Sequence, residues 1–306
     1  MSRALALPAR AKLNLSLRVV GRRADGYHLL DTVFHTLQLH DDLVVARGDG
    51  SGVALTVRSD REALSVPTDE RNLVVRALQQ LQQAAGDGGG FRVRLHKRIP
   101  HGGGLGGGSS DAAAALRLGN LLLGEPLDAA ALDALAVRLG ADVPFFLRGG
   151  TQRGRGIGDE LAPLQVPSRH FVLVLPPFGC ETAAVYKIHA AMWNQGADAA
   201  TVRPVTVPEN RDTAVGIGYA NDLEAAAEQL QPALSRLRRA IAAAGVPTTH
   251  MTGSGSTLFV PFDDADAAER CAIGLRRAVP AVDEGPVEYL VTASGPPPGS
   301  DAPTEA

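Results

Sequence analysis

The chain has 306 residues, 45% of them hydrophobic and 21% charged, the mixture of an ordinary globular enzyme able to bury a sizeable core. A formal net charge of −3 and only 4% aromatic residues argue against a nucleic-acid partner, since no basic cluster is interleaved with aromatic rings. No run approaches about 18 apolar residues and residues 1–12 lack a signal-peptide pattern, so no membrane partner is expected and the location is expected to be cytoplasmic.

Cys180 and Cys271 lie far apart, without a CxxC pairing or a histidine at ligand spacing, which indicates neither a disulfide framework nor a metal site. Among 30 basic residues only Lys12, Lys97 and Lys187 are lysine. A coding bias toward arginine accounts for that. It also draws attention to three places where a compact ammonium is kept.

In chain order, Leu5, Leu7, Leu13, Leu15, Leu17 and Val19 alternate with Lys12, Asn14, Ser16 and Arg18, the period of a half-buried strand with Lys12 and Asn14 on one face. A loop holding Asp25-Gly26-Tyr27-His28 follows, then strands over Leu43–Ala46 and Val53–Val57. Asn72 is placed to cap a helix with the apolar stripe Leu73, Val74, Ala77, Leu78 and Leu81. A strand marked by Phe91, Val93 and Leu95 leads into the glycine-rich run His101–Ser110. A helix is predicted from about Ser109 to Leu123, and another from Asp128 to Leu139 with Gly140 as a left-handed stop. Asp142 stands just beyond it.

The second half reads as a strand at Phe171–Leu175, a helix at Thr182–Asn194, a helix at Pro232–Ala244, and a strand pair around Gly253-Ser254-Gly255. A helix at Asp264–Val279 and a strand at Val287–Thr292 complete it. That order, with an extra helix near Asn221, predicts a ferredoxin-like α+β domain. Residues 295–306 read as a disordered tail.

Six glycines within Gly102–Gly108, framed by a strand and a helix, let the backbone approach a ligand and aim its amides at one spot. The free N–H groups and dipole of the following helix suit a di- or triphosphate, and Ser109 and Ser110 offer hydroxyls to a magnesium-bridged phosphate. No lysine precedes Ser109, so this is not a GxxxxGK[ST] loop. Gly102, Gly104 and Gly107 also spell G-x-G-x-x-G, with Glu125 at the distance of a ribose-binding acid, which keeps a dinucleotide-binding oxidoreductase as the rival reading. Against it, Glu125 falls in a turn between helices.

The run Pro100-His-Gly-Gly-Gly-Leu-Gly-Gly-Gly-Ser-Ser-Asp-Ala-Ala113 resembles the ATP-phosphate motif of the galactokinase, homoserine kinase, mevalonate kinase and phosphomevalonate kinase (GHMP) superfamily. Two more strings stand in the superfamily's order, Pro8-Ala9-Arg10-Ala11-Lys12-Leu13-Asn14 and Met251-Thr-Gly-Ser-Gly-Ser256. The resemblance implies a two-domain α+β fold. Residues 1–162 would form an ATP-binding domain like ribosomal protein S5 domain 2, and 163–294 a ferredoxin-like substrate-side domain. It implies ATP with Mg2+, the nucleotide held by Pro100, Gly102, Gly103, Gly104, Leu105, Gly106, Gly107, Gly108, Ser109 and Ser110, with Asn72 and Lys97 on the adenine side.

Three strings are similar to the branch whose acceptor is a cytidine diphosphate-linked methylerythritol. They are Ala11-Lys12-Leu13-Asn14-Leu15, Arg23-Ala24-Asp25-Gly26-Tyr27-His28 and Gly140-Ala141-Asp142-Val143-Pro144-Phe145-Phe146. Residue by residue, the resemblance makes Lys12 and Asp142 the catalytic pair and Asn14, Tyr27, His28, Thr182 and Tyr186 the acceptor contacts. A carboxylate that orients or deprotonates a hydroxyl, beside a lysine that offsets phosphoryl charge, is the usual chemistry of such a transfer. The nearest alternative is a kinase of the same superfamily of mevalonate or homoserine type. His101, where an apolar residue is frequent, and Gly255-Ser256-Thr257 depart from the pattern.

Overall fold

The computed structural model describes residues 3–24, 26–60, 66–195, 218–297 and 299–306, so Asp25 of the second string lies outside the described residues. Two long antiparallel strands, β1 (Ala4–Arg22) and β2 (His28–Gly48), organise the first half. The predicted alternation of β1 is present, with Leu5, Leu7, Leu13, Leu15, Leu17 and Val19 buried. Its other face is not solvated, however: Lys12, Asn14 and Ser16 are buried as well. The cause is tertiary, because two loops lie over that face. Lys12 N donates to Leu105 O at 3.0 Å, and Asn14 N to Thr252 Oγ1 at 2.9 Å. The register of β1 on β2 slips between Arg10 and Lys12 and between Asn14 and Ser16, irregularities that re-aim side chains.

β3 (Gly52–Ser59) runs parallel to β4 (Gly90–Lys97), with α1 (Leu73–Ala85) as the crossover between them. Asn72 caps α1 as expected, its side chain accepting from Val74 N at 2.9 Å. α2 (Gly107–Leu122) begins two residues earlier than the predicted Ser109, so the end of the glycine run is already helical. At Gly119 a Cβ would lie 2.5 Å from Leu81 Cδ2, and the missing side chain lets α1 and α2 pack closely.

α3 (Ala129–Leu139) is capped by Asp128. Gly140 does not take the expected left-handed conformation; at φ 167° and ψ 155° it is extended and leads the chain straight into α4 (Val143–Arg148). That six-residue helix is too short to show a period in the sequence. β5 (Thr151–Arg155) then pairs with β2, and β6 (Glu160–Pro163) with β5.

The second half contains β7 (His170–Leu175), α5 (Thr182–Gln195), β8 (Ala220–Asn221), α6 (Glu224–Leu230), α7 (Pro232–Ala243), β9 (His250–Met251), β10 (Leu258–Phe262) and α8 (Ala265–Ala278). A small hairpin, β11 (Ala281–Val282) and β12 (Gly285–Pro286), precedes β13 (Glu288–Ala293). The antiparallel order β13-β7-β10-β9 is 4-1-3-2 for the four main strands, the ferredoxin-like pattern of two split βαβ units. The extra helix expected near Asn221 is α6.

β1 threads three apolar clusters. Leu5 and Leu7 pack with Leu78, Leu81 and Phe145 under α1–α4. Ala11, Leu13 and Leu15 pack with Phe171, Leu173 and Phe259. Leu17 and Val19 join Val172, Val174 and Ile241. One strand is therefore common to both halves, and its middle third lies at their junction. The boundary expected after residue 162 falls at the end of β6.

The C-terminal residues are the clearest correction. They do not form a disordered tail: β14 (Thr304–Glu305) pairs with Leu5 and Ala6 of β1, Ala306 N donates to Ala4 O at 3.0 Å, and Asp301 accepts two bonds from Arg10 at 2.5 and 2.6 Å. Those partners are hundreds of residues away, so composition alone could not reveal them.

Candidate active site

The glycine run lies at this junction. Gly106, at φ 72°, is the N-cap of α2 and makes no side-chain cap, which leaves the first amides of the helix free. At Gly104 a Cβ would run into Thr252 O, so glycine there lets the run pack directly against the loop between β9 and β10. That loop is tied down by Asn221, whose amide donates to Met251 O at 2.9 Å and Gly253 O at 2.8 Å. Ser256 donates to Phe178 O, so the unusual Gly255-Ser256-Thr257 ending is an anchor. No local pattern gives Asn221 or Thr252 its anchoring role, which depends on strands far apart in the chain.

Lys12 projects from the middle of β1 beneath the run. Its ammonium lies 2.5 Å from Asn14 Oδ1 and 3.5 Å from Asp142 Oδ2. Asn14 is held in turn, donating from Nδ2 to Thr32 Oγ1 at 2.8 Å, and Thr32 donates to Ser16 O at 2.6 Å. Asp142 occupies the N-cap position of α4 but makes no cap bond. Its carboxylate therefore stays available to Lys12 and to the opening, with about a third of the side chain exposed.

A third wall comes from α5 and the start of β2. Tyr186 stacks on His28 with ring centroids 4.8 Å apart, and Thr182, one turn earlier, shares a hydrogen bond with Ser254 at 2.8 Å. Burial and then the Asp142 charge push the Tyr186 hydroxyl far above its ordinary value, which keeps it neutral and places it within electrostatic reach of that carboxylate. Burial, followed by Arg22 and His189, lowers His28 and keeps its imidazole neutral. Tyr27 is mostly exposed. His189 extends the same stripe of α5, edge-on to His28 at 6.4 Å; its spacing of seven from Thr182 was the available signal.

Lys12, Asn14, Asp142, His28, Thr182 and Tyr186 thus converge with the glycine run on one cleft. Asn72 and Lys97 do not open onto it in the same way. The Asn72 side chain is engaged by Val74 N and Pro67 O, and the Lys97 ammonium is buried between Asp41 and Asp111. Glu125 stands in a left-handed turn between α2 and α3 at φ 61°, not at the end of a strand, which removes the structural basis of the dinucleotide reading. Among the described residues no group of three or more His, Cys, Asp or Glu could hold a metal by itself, and no helix is long and apolar enough to cross a membrane.

Comparison with known proteins identifies the family. The chain matches the GHMP kinases N terminal domain over residues 72–150 and the GHMP kinases C terminal family over residues 209–281. It is 41% identical to the 4-diphosphocytidyl-2-C-methyl-D-erythritol kinase of Ralstonia nicotianae, and 40% identical to that of Pelotomaculum thermopropionicum. Each alignment covers 88% of this chain and 93% of the relative. A crystal structure of 4-(cytidine 5'-diphospho)-2C-methyl-D-erythritol kinase superposes with a TM-score of 0.71 at 35% identity, covering 95% of this chain and all of the other. L. major mevalonate kinase in complex with R-mevalonate, at TM-score 0.67 and 15% identity, shares the fold.

Proposed function

Because the chain belongs to the 4-diphosphocytidyl-2-C-methyl-D-erythritol kinases of the GHMP superfamily, we propose that its cleft transfers the γ-phosphoryl group of ATP to the 2-hydroxyl of that acceptor. It is a phosphotransferase of the non-mevalonate route to isoprenoid precursors. The observation that carries the residue assignment is the Lys12–Asp142 pair at 3.5 Å, between the free amides of α2 and the His28–Tyr186 stack.

In this reading the polyphosphate rests on the glycine run and the first turn of α2, where backbone amides and the helix dipole take its charge. Mg2+ bound with the nucleotide would supply charge neutralisation. The Ser109 hydroxyl, in the first turn of α2, would be the protein group offered to it. Asp142 holds the acceptor hydroxyl in line and accepts its proton or orients it, while Lys12 offsets charge on the oxygens that exchange the phosphoryl group. Asn14, fixed by Thr32, keeps the Lys12 ammonium from closing fully on Asp142. Tyr27, His28, Thr182 and Tyr186 hold the cytidine and erythritol portions. We place the reaction in the cytoplasm because it consumes ATP.

The test is an assay of the purified protein with ATP and, separately, the diphosphocytidyl compound, mevalonate and homoserine. Phosphorylation of the first alone is expected. Turnover of mevalonate or homoserine at comparable kcat/KM would overturn the acceptor assignment.

A further inference from the structure

We infer that Lys97, Asp41 and Asp111 form a positioning triad beneath the glycine run, which sets ATP affinity through the placement of α2 without touching the nucleotide. The inference deepens the kinase reading and rests on it. The ammonium of Lys97, the last residue of β4, pairs with Asp111 Oδ2 at 2.7 Å and with Asp41 Oδ2. Asp41 belongs to β2 and Asp111 to α2, one turn after its start, so three elements meet at one charge. The cradle lies directly over this point. A methyl group placed on Gly107 would stand 3.2 Å from Lys97 Nζ and 3.0 Å from Ile99 Cγ2.

All three residues are at most 5% exposed, and buried charges are a poor source of net stability because desolvation offsets their attraction. Burial pushes the Asp111 carboxyl up to about 7, opposed by Lys97 and reinforced by Asp41. Burial also works against the Lys97 ammonium, yet the two carboxylates outweigh it and hold its pKa above the ordinary lysine value. Asp41 needs no third group, since its other oxygen already accepts from Ile99 N at 2.8 Å and from Arg98 N. Asp41 alone would thus balance the charge of the ammonium. The added carboxylate on α2, with Oδ1 left unpartnered, is the link that ties the cradle to the sheet. Misplacing a binding group by about an ångström is enough to change rates by roughly a hundredfold.

The experiment is steady-state kinetics with both substrates, beside thermal melts, on Asp111→Asn and on the triple variant Asp41→Asn/Lys97→Met/Asp111→Leu. Asp111→Asn keeps the size and one acceptor of the link but removes its charge, and should raise the KM for ATP roughly tenfold to a hundredfold. The acceptor KM and kcat should change much less. The triple variant removes all three buried charges together, with the carboxamide oxygen at position 41 still able to accept from the Arg98 and Ile99 amides, and should melt near wild type, yet keep the raised KM for ATP. If instead its ATP KM returns to normal with its stability, the triad only maintains the fold and the inference fails. Unchanged ATP KM in both variants also overturns it. Gly108→Asp reads the cradle itself: at a position where a Cβ would make only an ordinary contact, 3.9 Å from Leu73 Cδ1, the added carboxylate opposes phosphate directly. If that variant weakens ATP and Asp111→Asn does not, the cradle stands and the triad falls; if neither does, the kinase-site reading falls with it.

Discussion

The Asp142 carboxylate lies 3.5 Å from the Lys12 ammonium although the two residues come from a strand and from the entrance of a short helix, 130 positions apart. Replacing Asp142 by Asn preserves size and most hydrogen bonding, and should lower kcat by roughly 10²–10⁴. Lys12→Ala should cost a comparable factor. Both groups act on one transition state, so the double variant should lose less than the product of the single losses. Single variants that fold, bind both substrates and turn over near the wild-type rate would show that the chemistry lies elsewhere.

Gly106 couples the cradle to that pair. A Cβ there would stand 2.7 Å from Phe146 Cζ and 3.1 Å from Lys12 Cγ, on backbone at φ 72° that side chains rarely adopt. Gly106→Val should therefore reduce kcat as well as raise the KM for ATP, because the intruding side chain displaces Lys12. Gly108→Asp should raise only the KM for ATP, by roughly tenfold through like-charge repulsion. Its melting temperature should hold, since an acid in the first helical turn favours the dipole. Measuring both variants in ATP titrations at saturating acceptor separates the two effects.

Tyr27 is 61% exposed while His28 is half-buried against Tyr186, which gives the neighbours different signatures. Tyr27→Ala should raise the acceptor KM roughly tenfold, the scale of one base-stacking contact, with no loss of thermal stability. His28→Ala should raise it too and lower the melting temperature by opening the face of Tyr186. ATP affinity unaltered in both, measured with a non-hydrolysable analogue, completes the expectation. Equal losses for both substrates would place these rings in the fold rather than in the acceptor pocket.

His35 makes a distinct pH prediction. It bridges Thr151 Oγ1 at 2.7 Å and Ser294 Oγ at 2.8 Å, and burial lowers its pKa to about 4. Unfolded, the imidazole takes up a proton below about 6.5; folded, it does not until about 4. The unfolded chain therefore binds more protons across that window, and stability falls as pH drops from 6.5 to 4, by about 3 kcal/mol for this one group. The raised Asp111 carboxyl works in the opposite direction, so the diagnostic quantity is a difference. Melting temperatures of wild type minus His35→Gln should decline across that window and level off below it; a flat difference would remove His35 from the account.

What could be read in the sequence was whatever chemistry had been concentrated in local strings. The glycine run, the β1 alternation and the Asn72 cap each carry their physics within a few residues, and the three strings around Lys12, Tyr27 and Asp142 carried the family. Gly140 has the neighbours of a left-handed stop, whereas the start of α4 dictates an extended turn. The burial of Lys12 and Asn14 and the anchoring by Asn221 and Thr252 arise between distant elements, where no local pattern exists. Lys97 illustrates the limit best: the rarity of lysine marked it, but only packing revealed that two carboxylates already claim its charge.

The pairing of Thr304 and Glu305 with Leu5 and Ala6 gives the chain terminus a protective duty. In the first half of β1 that short strand is the partner on the side away from β2, capping a row of backbone donors and acceptors at the sheet margin. An unshielded margin of this kind is a template for another copy of the same strand. With a net charge of only −3, there is little mutual repulsion to keep copies apart. A chain cut after Ser294 would keep every residue of the cleft and yet become adhesive, so its failure would be one of solubility before it was one of catalysis.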